Sequence, residues 1–191
     1  MQPLIKKMKI IDNFLSKSYH QELINLMSSA QFNWFYNEDI SYKSKSKQIK
    51  SHLSEFGFSH IFWDENGMRD TSTSMLWKPG LLQIADAINA DMIHRSRADM
   101  TVYTPTKFIH HPHVDYDFKN IATIFYVNES DGDTIFYKEK KLSKKLNIIN
   151  KVSPKANRLV IFDGGVLHTG SSPSKHKNRI LINSNFKYQA N

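Results

Sequence analysis

Apolar positions recur at helical spacing in two places in the first half of the chain. Between about 14 and 30, Leu23, Leu26, Met27 and Ala30 fall on one face, with Ser16 or Ser18 available as the N-cap. A second stripe, Leu81, Leu82, Ile84, Ala85, Ile88, Met92 and Ile93, follows Pro79-Gly80 and predicts a helix that opens there. Between these stripes, Phe32 to Trp77 is aromatic-rich without a steady period and reads as irregular. From Met100 the period changes. Short β-rich runs appear at 100–104, 107–114, 121–128, 133–138, 147–152, 158–163 and 179–187, separated by turn residues such as Asp163-Gly-Gly165 and Ser171-Ser-Pro173. Many short strands with few helices predict a mainly β core, a sandwich or barrel, buttressed by N-terminal α-helices. No repeat or Pro/Gly/Ser-rich linker divides the chain. The expectation is therefore one domain over 1–191, with a helical, aromatic-rich portion (1–96) packed on a β core (97–191).

Composition narrows the chemistry. Across 191 residues, 40% hydrophobic and 12% aromatic content suffices for a core, which excludes wholesale disorder. The absence of cysteine removes disulfides, thiolate zinc, iron–sulfur clusters and cysteine nucleophiles, so any metal must sit on nitrogen and oxygen ligands. No apolar run has the length of a membrane span, and the opening residues lack a secretory apolar block. A soluble, cytoplasmic chain is expected, in the host cytoplasm if the source is viral. The formal charge of +8 attracts anions in principle. Much of it is lysine in polar stretches, Lys43–Lys50 and Lys138–Lys145, which read as solvated faces.

The informative residues lie in the β half. In His113-Val114-Asp115, strand alternation aims an imidazole and a carboxylate at one point. Parity places His111 on the same face as His113 and turns His110 away, but only His113 has a carboxylate two residues on. His168, in Asp163-Gly-Gly-Val-Leu-His168, supplies a third ligand from just beyond the run 158–163. Two imidazoles and one carboxylate make the facial set used by non-haem Fe(II) oxygenases, which leaves adjacent coordination positions open. Arg179 opens the last strand. Facing inward, it needs an anion, and its planar fork suits a carboxylate.

These segments resemble the 2-oxoglutarate/Fe(II)-dependent dioxygenases, nearest to the prolyl 4-hydroxylase-like branch and its small bacteriophage relatives. The likeness is strongest from Arg97 to Phe186, in Tyr103…His113-Val-Asp115, Thr123–Asn128, Asp131-Gly-Asp-Thr134, Pro154–Phe162, His168-Thr-Gly170 and Arg179–Asn183. It implies a double-stranded β-helix (a jelly-roll or cupin-like core). By the resemblance, His113, Asp115 and His168 bind Fe(II), and Arg179 holds the distal carboxylate of 2-oxoglutarate. Tyr126 and Tyr103 match tyrosines that contact this cosubstrate. O2 is the second cosubstrate, and ascorbate a candidate accessory. The implied reaction hydroxylates an unactivated C–H with release of succinate and CO2.

Two departures stand out. Asp131-Gly-Asp-Thr134 replaces the family's common Gly-Gly-Glu-Thr, and Thr104–Phe108 lacks a common glycine. Alkylation-repair demethylases of the same superfamily carry a second arginine shortly after the first, and Ile180–Phe186 contains none. Nucleic acid is therefore not the expected substrate, and no membrane partner is expected. A peptidyl, prolyl-type side chain leads, with the aromatic stretch Ser41–Trp77 available as a lid or, for most of its rings, as core. A free amino acid or other small metabolite stands second. A cupin-like metal-binding protein or pseudoenzyme is the rival outside the oxygenases, and a basic nucleic-acid-binding module is another.

Overall fold

The computed structural model describes residues 8–41, 54–69 and 71–187. Eleven strands and two helices occur among them, in the order β1 (Lys9–Asp12), α1 (Lys17–Met27), β2 (Phe35–Asn37), β3 (Gly57–Asp64), β4 (Gly67–Met68), α2 (Thr71–Ile88), β5 (Met92–Val102), β6 (Ile121–Tyr126), β7 (Thr134–Tyr137), β8 (Ile148–Val152), β9 (Arg158–Asp163), β10 (His168–Gly170) and β11 (Asn178–Lys187). The larger sheet runs β1-β9-β6-β11-β5-β3-β2, with β4 paired to β3, and the smaller runs β10-β7-β8. Every ladder is antiparallel. This is the mainly β, double-stranded β-helix architecture the sequence leads one to expect.

Alternation along the central strands explains the layers. Ile121 and Phe125 on β6, Leu159 and Ile161 on β9, and Ile180, Ile182 and Phe186 on β11 meet Leu23, Met27, Trp77, Leu81 and Ile84 of the helices. The intervening residues, Ala122, Ile124, Tyr126, Val160, Phe162 and Leu181, face Phe136 and Val152 of the smaller sheet. Because β6 is covered on both faces, all six of its residues are buried. Phe62 and Trp77 belong to the helix-side core. The exposed lysines of 138–145 form a solvated face, whereas the segment 43–50 lies outside the described residues. No helix among the described residues is long and apolar enough to cross a membrane.

Helix α1 starts where the pattern places it, capped by Ser16, whose hydroxyl accepts the Tyr19 N–H. Helix α2 does not. It begins at Thr71 and runs through Pro79, which the sequence reading took as its opening. A proline inside a helix removes one backbone donor and strains the preceding turn. Here the Tyr19 hydroxyl enters the ladder, donating to the Leu76 carbonyl (2.5 Å) and accepting the Gly80 N–H (3.1 Å). A Cβ on Gly80 would lie 2.7 Å from the Trp77 ring, so the residue after the proline has to be small. The helix also ends early. Asn89 takes φ 52°, its N–H reaches the Asp86 carbonyl and that of Ala90 the Ala85 carbonyl, a Schellman closure. Met92 and Ile93, assigned by periodicity to the helix, instead open β5.

Two further expectations are corrected. The stretch read as irregular contains β2, β3 and β4, which widen the large sheet beyond β5. The run 107–114 forms no ladder and makes only isolated bridges, Ile109 with Ser171 and His113 with His168. Three histidines and Pro112, which has no backbone N–H to give to a ladder, interrupt the run between Ile109 and Val114.

Candidate metal centre

His113 and His168 come from segments 55 residues apart and meet through their backbones. Each N–H donates to the other's carbonyl, at 2.9 and 3.0 Å. In such a reciprocally bonded antiparallel pair both side chains project to the same face. The rings stand 4.9 Å apart. The Nδ1 of His113 faces the His111 carbonyl at 3.1 Å, and that of His168 the Val166 carbonyl at 2.9 Å. A protonated Nδ1 in both rings leaves each Nε2 as the lone-pair donor toward the shared space. His168 is further fixed between Phe136 and Phe162.

Asp115 completes the group, its Oδ1 3.8 Å from the His113 Nε2. One ligand atom from each of His113, Asp115 and His168 lies within 4.8 Å of the others, so the three can hold a metal ion. The other carboxylate oxygen accepts from Asn185 (2.9 Å) and Asn183 (3.3 Å) on β11. Arg95 approaches Oδ1 at 3.5 Å. Burial alone would raise the Asp115 pKa, but His168, Arg95, His113 and the Asn185 amide outweigh it and hold the group well below the usual carboxylate range. Burial, helped by the neighbouring His168, pushes His113 down to about 4. Near neutral pH the set is thus one carboxylate with a neutral His113, the protonation state that metal ligation requires.

His113, Asp115 and His168 are among the residues lining a cavity of about 540 Å³, its open mouth included. Arg179 is in its wall, only 5% exposed. Its Nη2 donates to Thr134 (2.7 Å) and its guanidinium lies 5.6 Å above the Tyr126 ring. None of the ion pairs among the described residues involves Arg179. Its Nε has no hydrogen-bond partner, and neither has Thr101 Oγ1, its cross-strand neighbour, nor His110 Nδ1. Three buried, unpaired polar atoms on residues lining one cavity fit a carboxylate that would accept from them. Glycine makes the space: a Cβ on Gly132 would stand 2.7 Å from Arg179 Cδ, and one on Gly170 3.1 Å from Nη1.

The tyrosines are placed differently. Tyr126 is fully buried and bonds Thr134 Oγ1 (2.6 Å), so Thr134, not the tyrosine, reaches the cavity wall. Tyr103 is 52% exposed and lies one residue past the end of β5; the β5 residues of its parity that line the cavity are Arg97, Asp99 and Thr101. His110, which parity turned away, lines the cavity at 4% exposure with Nε2 on Ser172 (2.9 Å), because the segment carrying it is not a strand. Sequence reasoning missed Thr101, Thr134, Asn183 and Asn185. The signal for the asparagines was present, since they share the parity of Arg179 along the last strand.

Residues 98–187 match the family model of the 2OG-Fe(II) oxygenase superfamily. No curated protein matches the chain. Among solved structures it is similar to a Trichoplax adhaerens prolyl hydroxylase in complex with a hypoxia inducible factor oxygen degradation domain peptide fragment, with 15% identity, TM-score 0.61, and 95% of this chain and 84% of that one covered. It is similar also to a Pseudomonas putida prolyl-4-hydroxylase, with 13% identity, TM-score 0.55, and 94% and 92% covered. A third is the non-heme alpha ketoglutarate dependent epimerase SnoN from nogalamycin biosynthesis, with 10% identity, TM-score 0.65, and 95% and 77% covered. At these identities the structural likeness is one of fold.

Proposed function

We propose that this chain, whose residues 98–187 match the family model of the 2OG-Fe(II) oxygenase superfamily, is an oxygenase of that kind, with Fe(II) as cofactor and 2-oxoglutarate and O2 as cosubstrates, and that it hydroxylates an unactivated C–H of a peptidyl, prolyl-type side chain. The observation that carries this reading is a metal-competent His113–Asp115–His168 set sharing one cavity with an arginine that has no anionic partner. When bound, Fe(II) supplies the O2 chemistry that oxidises the C–H while 2-oxoglutarate is converted to succinate and CO2. The chain's own work is to hold and orient. His113, Asp115 and His168 keep the metal on one face, with the Asn183 and Asn185 amides fixing the carboxylate. Arg179, with Thr101 and Thr134 beside it, grips the distal carboxylate of 2-oxoglutarate, and Tyr126 stiffens this grip through Thr134. Tyr103, outside the cavity, is free to meet a substrate at the surface. The prolyl-type assignment draws support from the two prolyl hydroxylases of like fold.

The test is aerobic incubation with Fe(II), 2-oxoglutarate and a library of proline-containing peptides, reading succinate and the addition of one oxygen atom to peptide by mass spectrometry. Succinate together with oxygenated peptide is expected. Succinate without peptide oxidation in any member would overturn the peptidyl assignment, and no succinate at all would overturn the oxygenase.

A further inference from the structure

Three arginines lie on the two strands that flank the site, β5 and β11, and the reading above uses one of them, Arg179. Arg97 meets the carboxylate of Asp99 on its own strand at 2.7 Å. Arg95 has a different partner. Among the described residues its one ion-pair contact is Asp115, with Nη2 at 3.5 Å from Oδ1. The same nitrogen is 3.5 Å from Asn183 Oδ1, and the guanidinium lies 5.2 Å above the ring of Tyr116, the residue that follows Asp115. The register partner of Arg95 on β11 is Asn185. The two carboxylate oxygens of Asp115 therefore have unlike surroundings. Oδ2 accepts from both asparagine amides, whereas Oδ1, 3.8 Å from the His113 Nε2, faces the cation. At 3.5 Å the contact is longer than a full N–H···O bond, so Arg95 acts on Oδ1 through its charge and leaves the oxygen's lone pairs to a metal. Holding the carboxylate in place does not need this charge, because the two amides already do so. The side chain is only 17% exposed and its Nε is buried without a hydrogen-bond partner, a cost that a neutral residue would not carry.

We infer that Arg95 is a positioning residue that acts through Asp115, and that its fixed charge makes the ligand set prefer Fe(II) to Fe(III). A cation held beside a ligand oxygen opposes every positive charge placed on the ligand set, and the ferric ion brings one more than the ferrous. The couple is a single electron, Fe(III) + e− → Fe(II), with His113, Asp115 and His168 as ligands of both forms. At an effective dielectric of about 20, unit charges about 10 Å apart already interact strongly enough to change the ratio of the two forms by roughly tenfold. Arg97 does not duplicate the effect, since Asp99 offsets its charge. The inference rests on the oxygenase reading above, in which the ferrous ion is the working form.

The test is an anaerobic redox titration of the iron-loaded full chain, without 2-oxoglutarate, in which mediators exchange the electron and the ferric fraction is read by electron paramagnetic resonance. Arg95→Met keeps an unbranched stem against Tyr116 and removes the charge. Its preference for Fe(II) should fall by about tenfold or more, which lowers the midpoint by about 59 mV per tenfold for one electron. Arg95→Gln, polar and uncharged, should fall likewise and stands in if the Met variant does not fold. Arg95→Lys keeps the charge and should stay within about threefold of wild type. A merely structural role would weaken ferrous and ferric binding together and leave the midpoint where it is. Uncharged variants with a midpoint within threefold of wild type therefore overturn the inference, as does an Arg95→Lys variant that falls as far as Arg95→Met. Failure of wild type to take up iron strikes the oxygenase reading itself, and this inference with it.

Discussion

Replacing Arg179 by Met separates the anion anchor from the metal set. The substitution keeps an unbranched stem between Gly132 and Gly170 and removes the guanidinium. Two opposing effects follow from the geometry. In the ligand-free protein the guanidinium is buried with Nε unpartnered and only Thr134 bonded to Nη2, so its removal relieves desolvation and gives up one hydrogen bond. The thermal midpoint should stay level or rise by a few degrees. In the ligand-bound protein two charge-assisted bonds to a carboxylate are lost, each worth about 1.5–3 kcal/mol, or roughly 3–5 kcal/mol together once the residual hydroxyls of Thr101 and Thr134 are allowed for. At about 1.4 kcal/mol per tenfold, 2-oxoglutarate should bind on the order of a hundred- to several-thousandfold more weakly. Iron retention should not change, because the ligand atoms come from His113, Asp115 and His168. The assays are calorimetric titration of 2-oxoglutarate, iron content after gel filtration, and a thermal scan. An affinity within threefold of wild type, or iron lost together with 2-oxoglutarate, refutes the assignment of Arg179 to the cosubstrate.

Two other perturbations probe the surroundings. Burial, with the charge of Arg179 adding to it, holds the His110 pKa down at about 4, against about 6.5 for an unfolded histidine. A group depressed in this way lets the unfolded chain bind more protons between those values. Its stabilising contribution is complete above pH 6.5 and drains as pH falls toward 4, reaching a loss of about 2 kcal/mol at pH 5. Stability measured by denaturant titration between pH 7 and pH 5 should fall, and His110→Gln, which preserves a donor toward Ser172, should flatten the fall; an identical slope in the variant counts against the burial argument. For Asn185→Ala, the closer of the two amide contacts on Asp115 is lost, and iron should dissociate about 10–100-fold more readily in a chelator competition. Iron affinity equal to wild type would show that the carboxylate needs no such support.

Much of the β-helix could be read from residue pattern because its strands carry their own period and turns. The runs at 121–128, 133–138, 147–152 and 158–163 each contain the observed strand. What failed was local pattern overridden by distant partners. Pro79 is a helix opener by every local rule, yet it sits inside α2 because a tyrosine from α1 repairs the ladder around it, a contact across 57 residues that no window reveals. Strands β2 and β3 were hidden because the exposed positions are themselves apolar: Ile61 stands exposed between the buried His60 and Phe62 of β3, and Phe35 and Tyr36 of β2 are both exposed, so burial leaves no apolar–polar alternation in the sequence.

The site shows the same division more sharply. His113, Asp115, His168 and Arg179 were legible because each is a residue type whose burial needs a reason, and their order along the chain restricts what that reason is. The parity argument that joined His113 to Asp115 rested on a strand that does not form. The two imidazoles converge instead through a single reciprocal backbone bridge between a loop and β10. A bridge of this kind leaves no trace in sequence, for it constrains no residue type except at its two ends. The same loop geometry turns His110 into the cavity against its expected parity. Arg97 and Asp99 share β5 with His94 and Arg95, so charge along the strand does not single them out, and only the register against Asn183 and Leu181 places them at the cavity. Residues able to hold a metal are thus announced by what they are, and the residues around them by what the fold places beside them.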